Sequence, residues 1–139
     1  MTAIITSTVS AEDLEIYRQW VSGEWGSEHS FDPPEGSPSL PSPLLALTEG
    51  ELSGGISFTW YPNPGRSEQA LWINTLYVES ESRGNGYALD LIAAAEQCAK
   101  GVACASELFV YTDAPGLYGK RNWSILSQDG KMTVLCKKL

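Results

Sequence analysis

Short apolar runs of strand length alternate along this chain with two stretches of helical periodicity, and glycine and proline mark the breaks. Ile4 to Thr8 is a β-branched run. Ser10-Ala11-Glu12-Asp13 then opens a helix, since the Ser10 hydroxyl suits an N-cap and the two acids suit the positive helix end. That helix is expected to run to about Val21. Beyond it, Gly23, Gly26, Pro33, Pro34, Gly36, Pro38, Pro41 and Pro43 forbid a long regular element. Trp25, His29 and Phe31 give the segment something to pack, which favours an ordered loop with up to one helical turn over a disordered linker.

Leu44 to Thr48 and Leu52 to Trp60 are apolar runs joined through Glu49-Gly50-Glu51, which predicts a β-hairpin. Tyr61 to Glu68 is a loop by its proline and glycine content, and a strand from Ala70 to Val78 follows. From Gly86 to Lys100, Ala88, Leu91, Ile92, Ala95, Ala99 and Val102 recur at helical spacing, with Asp90, Glu96, Gln97 and Lys100 largely outside the stripe. Gly101 ends that helix, and Glu107 to Thr112 is the next strand, so strand-helix-strand predicts a parallel pair with a crossover. Asp113-Ala114-Pro115 starts a short helix, with Asp113 as its cap and Pro115 in the first turn. Trp123 to Ser127 and Met132 to Lys137 form a last hairpin around Gln128-Asp129-Gly130-Lys131. The order β-α-(α)-β-β-β-α-β-α-β-β predicts a mixed-sheet α/β layer protein, one domain over residues 1–139, without internal repeats.

Composition changes this picture little: 42% hydrophobic and 19% charged residues suit a domain that buries its own core. A formal net charge of −8 disfavours nucleic acid and makes a cationic small molecule or basic peptide the more natural partner, although the same acidity also serves solubility. The first basic residue is Arg18, so no secretion signal is expected at the start, and no run approaches the ~20 apolar residues that span a bilayer. No membrane role is expected. Cys98, Cys104 and Cys136 lack C-x-x-C spacing, and His29 does not complete a zinc site with them. The expectation is therefore no metal and three reduced thiols in a cytoplasmic protein.

Candidate chemistry sits where the strand ending at Val78 passes into a helix through Arg83-Gly84-Asn85-Gly86-Tyr87-Ala88. Gly84 and Gly86 carry no Cβ to block phosphate oxygens, and the helix aims its positive end at the same spot. A pyrophosphate cradle and an ordinary tight turn both fit the loop taken alone. A dinucleotide motif G-x-G-x-x-G fails at Leu89, and the Lys-Ser/Thr of a nucleotide P-loop is missing.

Arg83, Gly86 and Ala88 fill the fixed places of R/Q-x-x-G-x-G/A after the strand residues Leu76-Tyr77-Val78. Downstream, Leu117-Tyr118-Gly119-Lys120-Arg121-Asn122-Trp123 looks like a second motif, a tyrosine followed by a glycine-aromatic pair, with Asn122 in place of the glycine. With the terminal run Met132 to Leu139, these segments resemble the GNAT superfamily of acyl-CoA-dependent N-acetyltransferases over residues 44–139. The resemblance implies a central, mostly antiparallel mixed sheet flanked by helices. It also implies a parallel strand pair, holding Leu76 to Val78 and Phe109 to Tyr111, that splays to admit the acyl-pantetheine arm of acetyl-CoA.

The same resemblance implies roles for named residues. Amides from Arg83 to Ala88 would hold the pyrophosphate, Leu76, Tyr77 and Val78 would pair with the pantetheine, and an N–H near Leu76 or Tyr77 would donate to the thioester oxygen. Tyr118 matches the hydroxyl that protonates the departing thiolate; packing its ring on the sheet is the competing explanation. An alkyl ammonium with pKa around ~10 must lose a proton before it attacks. Where many relatives carry a glutamate for this, the chain has Trp72, and Asn74, two residues on and expected on the same face, at best orients a water. Glu28, His29 and Asp32 are candidates for a base or a water relay, or else are solvated loop residues. Trp25, Trp60 and Trp72 are candidates for an aromatic acceptor pocket, and core packing explains each equally well. A non-catalytic acyl-CoA sensor or interaction module is the alternative reading, and edge strands leave pairing into a homodimer open.

Overall fold

Glu49 (φ 51°) and Gly50 (φ 82°) supply two consecutive positive φ angles, the turn geometry whose twist matches that of the flanking strands. They join β2 (Leu44–Thr48) to β3 (Glu51–Pro62) in a computed structural model that describes residues 3–26, 31–33 and 35–139. Ahead of them lie β1 (Ile4–Thr6) and α1 (Ala11–Trp25). After them come β4 (Gln69–Val78), a 3₁₀ turn at Ser80–Ser82, α2 (Tyr87–Lys100), β5 (Glu107–Thr112), α3 (Pro115–Gly119), β6 (Ser124–Asp129) and β7 (Met132–Lys138). The described strands make one sheet in the order β1-β2-β3-β4-β5-β7-β6, antiparallel at every step except β4–β5. The mixed α/β architecture with a single parallel crossover is the one the sequence pattern predicts.

Helices cover both faces of the sheet. The apolar stripe of α2 buries Leu91, Ile92, Ala95 and Ala99 against Leu44, Ala46, Ile56, Phe58, Leu71 and Ile73. On the opposite face Tyr17 and Val21 of α1 pack on Leu45 with Phe31. Leu45 points away from its neighbours Leu44 and Ala46, as strand alternation requires. Phe31 stacks on Tyr17 with ring centroids 5.7 Å apart, and the Arg18 guanidinium lies 5.0 Å from the Phe31 ring centre. This is the ordering contact expected of the proline-rich segment, in which the described residues form no further helix.

Three local expectations need correction. The first helix does not stop near Val21: it continues through Gly23 to Trp25 and ends where the Gly26 N–H donates to the Ser22 carbonyl at φ 93°. Burial of Tyr17 and Val21 outweighs the modest helix penalty of one glycine. Asp113 does not cap α3, because Ala114 occupies the N-cap position and Thr112 Oγ1 accepts the Ala114 N–H. Glu96 belongs to the buried side of α2 and is only 4% exposed. The Ser10 cap is as expected, its hydroxyl accepting the Asp13 N–H at 3.0 Å.

Gly54 and Gly55 lie in the middle of β3, where glycine normally weakens a strand. A Cβ at Gly55 would stand 2.7 Å from Tyr17 Cε1 and 2.8 Å from Leu45 Cδ2, so the bare backbone is what lets the Tyr17 ring lie flat on the sheet. Gly55→Ala is expected to lose about 1–3 kcal/mol by overpacking. A lowered urea midpoint at unchanged m-value checks it.

Candidate functional site

The pairing of β4 with β5 lasts for two residues, Leu71 with Leu108 and Trp72 with Phe109. Beyond Trp72 the pairing stops, and among the described residues no strand pairs with the edge of β4 that faces β5. Ladder phase shows which groups line that edge. The Glu79 N–H donates to the Ser53 carbonyl at 2.8 Å, so in this register Gly55/Tyr77 and Ser57/Thr75 are hydrogen-bonded pairs, and Gly54/Val78 and Ile56/Leu76 are not. The main-chain groups of Leu76 and Val78 therefore point away from β3 and into the gap. Consistent with this, the Val78 carbonyl accepts Arg83 Nε at 2.9 Å.

A β-bulge shapes the same stretch. Ser57 pairs with Thr75 and Phe58 with Ile73, which leaves Asn74 as the extra residue. Side-chain parity resets there. Ala70 and Trp72 share the α1 face with Tyr77, whereas Leu71, Ile73, Leu76 and Val78 face α2. Simple alternation put Asn74 on the face of Trp72; the bulge gives that place to Thr75, whose hydroxyl is bonded to Tyr17 Oη (2.9 Å) and Ser57 Oγ (2.6 Å). Nothing in the sequence singled out Tyr17, a fully buried phenol whose pKa burial pushes far above its ordinary value.

The glycine loop has the form its residues predict. Gly84 (φ 86°) and Gly86 (φ 79°) both adopt the left-handed conformation, and a Cβ at either would meet open space. Gly86 caps α2 without a side-chain hydrogen bond, and the first helical bond runs from the Asp90 N–H to the Gly86 carbonyl. The loop's other bonds brace it from behind: Asn85 Nδ2 donates to the Ser82 carbonyl, and the Glu79 carboxylate accepts from the Glu81 N–H and Ser82 Oγ. Among the described residues the amides of Gly84, Asn85 and Gly86 take no part in this bracing. Arg83 bends back, its guanidinium 5.6 Å from the Tyr77 ring centre. Tyr87 is buried, with its hydroxyl accepting from Thr48 Oγ1 at 3.2 Å, which ties the helix start to the β2–β3 hairpin. Two positive-φ glycines with open space at their Cβ positions, beside a strand edge that no other described strand takes up, suit a pyrophosphate followed by an amide-bearing arm. The residues present thus fit coenzyme A.

Tyr118 lies on α3, 2% exposed, its ring edge-on to Trp123 with centroids 5.1 Å apart. Burial pushes its pKa well above the usual tyrosine value, so the hydroxyl keeps its proton at neutral pH. Asn122 adopts φ 65°, the left-handed turn that asparagine was expected to supply in place of glycine. Behind this turn Glu96 accepts from Arg121 Nη2 (3.0 Å), Arg121 Nε (3.2 Å) and Trp123 Nε1 (3.0 Å), with Lys137 Nζ at 3.9 Å. Burial works against the charge of Glu96, but hydrogen bonds from Arg121 and Trp123, together with the Arg121 and Lys137 charges, hold its pKa below the ordinary carboxylate value.

The acceptor-side candidates are not gathered into one pocket. Trp72 stacks on Phe109 (5.1 Å) and meets Tyr61 edge-on (5.6 Å); its buried Nε1–H has no partner among the described residues, so this position offers a donor and no base. Trp60 lies in the core beneath α2, on the opposite face, which removes it from any shared lining with Trp72. Trp25 is 47% exposed and packs edge-on to Tyr77 at 6.1 Å. Asp32 is exposed beside buried Phe31, and Glu28 and His29 fall outside the described residues. Among the described residues no group of His, Cys, Asp and Glu is placed to hold a metal, and no helix is long and apolar enough to cross a membrane.

A splayed parallel pair, a bulged strand and a glycine loop at a helix start define an acyl-CoA transferase architecture. The acetyltransferase (GNAT) family model matches residues 10–123, and the chain belongs to that family. The fold is similar to that of an acyl-CoA N-acyltransferase from Pseudomonas aeruginosa (TM-score 0.68, 16% identity, covering 98% of this chain and 99% of that one). It is also similar to the PaiA N-acetyltransferase of Thermoplasma acidophilum in complex with coenzyme A (TM-score 0.69, 19% identity, each chain covered in full at 100%). A third similar structure is Arabidopsis thaliana Naa50 with the bisubstrate analogue CoA-Ac-MVNAL (TM-score 0.64, 14% identity, 100% of both chains). No curated protein shows significant sequence similarity to the chain.

Because the folded-state pKa of Glu96 is depressed, its contribution to stability is present above the unfolded value of about 4.3 and is lost as pH falls through the folded value. Urea midpoints of wild type and Glu96→Gln are therefore expected to differ most near neutral pH and to converge in acid.

Proposed function

We propose that this protein is an N-acetyltransferase that moves the acetyl group of acetyl-CoA to a primary amine by direct attack in a ternary complex. The observation that carries the proposal is the edge of β4 at Leu76 and Val78 that no other described strand takes up, which runs directly into the glycine loop. Acetyl-CoA supplies an activated acyl group. Amides of Arg83, Gly84, Asn85, Gly86, Tyr87 and Ala88 hold the diphosphate at the positive end of α2, and the backbone of Leu76, Tyr77 and Val78 pairs with the pantetheine as an added strand would. The Leu76 N–H is the edge donor best placed to receive negative charge from the thioester oxygen.

As the amine nitrogen bonds to the carbonyl carbon and the carbon–sulfur bond breaks, the thiolate needs a proton. Tyr118 supplies it, since burial keeps that hydroxyl protonated and makes it a donor rather than a base. The amine's own proton leaves through Glu28, with His29 or Asp32 as further members of a water relay, because Trp72 has no basic atom. The acceptor is a small-molecule or peptide amine, and its cationic character is favoured by the net charge of −8 and by the exposed ring of Trp25, with Asn74 at most orienting a water.

Calorimetry is expected to show binding of coenzyme A, weakened about tenfold or more by Gly86→Val, whose branched side chain fits neither the φ of 79° nor a phosphate at that spot. No heat with millimolar coenzyme A removes the proposal. With acetyl-CoA and a panel of amines, Tyr118→Phe is expected to lower kcat by about tenfold to a hundredfold at unchanged coenzyme A affinity. Binding with no thiol released by any amine selects a sensor or interaction module instead.

A further inference from the structure

Glu96 is the described carboxylate with the least reason to be buried on sequence grounds, and its environment is built in detail. It sits in the third turn of α2, the helix that begins at the glycine loop. Its two oxygens face outward to the chain that carries Tyr118: Oε1 takes Arg121 Nη2, and Oε2 takes both Arg121 Nε and Trp123 Nε1. Lys137 reaches the same carboxylate at 3.9 Å and also donates to the Arg121 carbonyl at 2.6 Å. The Tyr118 carbonyl in turn accepts the N–H of Arg121 (2.9 Å) and of Trp123 (3.3 Å). The Trp123 indole is therefore fixed at both ends, by its Nε1–H on Glu96 and by its main chain on Tyr118, and its ring forms the wall against which Tyr118 stands.

An ion pair with one partner buried, Glu96, and the other, Arg121, well exposed is a poor way to gain stability, since screening and desolvation offset most of its attraction. Orientation is what such a pair supplies, because the carboxylate fork and the indole N–H allow one geometry. We propose that Glu96 is a positioning residue for Tyr118, acting through Trp123 and Arg121, so that a single helix sets both the diphosphate loop and the proton donor. This rests on the role given to Tyr118 above. Changes in α2 that tilt its third turn then move the donor relative to the thioester while leaving the loop in place.

Two substitutions separate positioning from mere support. Trp123→Phe keeps a ring beside Tyr118 and removes the Nε1–H; Glu96→Gln keeps the shape and removes the charge. With acetyl-CoA and the amine turned over fastest, each is expected to lower kcat about tenfold while KM for acetyl-CoA stays constant, and neither is expected to lower kcat further in a Tyr118→Phe background. Fully additive losses in that background overturn the inference and leave the role of Tyr118 standing. If Tyr118→Phe alone leaves kcat unchanged, both fall. Should no amine turn over, fluorine NMR of protein labelled with 3-fluorotyrosine reads the ring directly with coenzyme A bound. The line lost in Tyr118→Phe should be sharp in wild type and broadened or split in Glu96→Gln, and an unaltered line overturns the inference.

Discussion

Two residues of parallel pairing hold β4 to β5, and the rest of the architecture follows from the point where that pairing stops. Had the ladder continued past Trp72 and Phe109, the main-chain groups of Leu76 and Val78 would be consumed by the sheet. The chain would then offer a glycine loop with nothing leading away from it. The bulge at Asn74 marks the change: it adds a residue to β4 against β3, bends the strand and resets which side chains meet which helix. An unsatisfied strand edge inside a fold is costly unless something else pairs with it. In this molecule Arg83 Nε takes up the Val78 carbonyl, and the rest of that edge lies beside the glycine loop.

Polar side chains brace the margins of this opening. Thr75, Tyr17 and Ser57 form a fully buried hydroxyl cluster beside the bulge, and Tyr87, Thr48 and Ser53 form a second one that fastens the start of α2 to the β2–β3 hairpin. The Glu96 cluster forms a third brace on the far side. Each joins elements distant in sequence, so the rim is held by tertiary contacts rather than by the loop's own residues.

Much of this was legible in the chain. Strand-length apolar runs, the Glu49-Gly50 turn, the glycine pair after Val78 and the stripe of α2 each point to the observed element, because each depends on local geometry. The unread features depend on contacts between distant residues. The extension of α1 through Gly23 comes from Tyr17 and Val21 docking on the sheet. The bulge at Asn74 is visible only when β3 is laid beside β4, and it is why two-residue alternation misplaced Asn74 with respect to Trp72. Glu96 looked like a solvated helix residue because its partners, Arg121 and Trp123, lie about seven helical turns' worth of sequence away. Trp60 and Trp72 lie on opposite faces because the hairpin register sets Trp60 opposite Leu71, one residue out of phase with Trp72.

The contact between the Tyr17 ring and the bare backbone at Gly55 makes those two positions dependents of one another. Thirty-eight places apart in the chain, they share a single volume: a bulky ring at one demands the absence of a side chain at the other. Among sequences that keep this packing, size at the two sites should trade inversely, with glycine opposite an aromatic and a larger residue tolerated only where the ring has been given up. Such a reciprocal pair links the helix over the sheet to the strand beneath it, and drift at either position is constrained by the other.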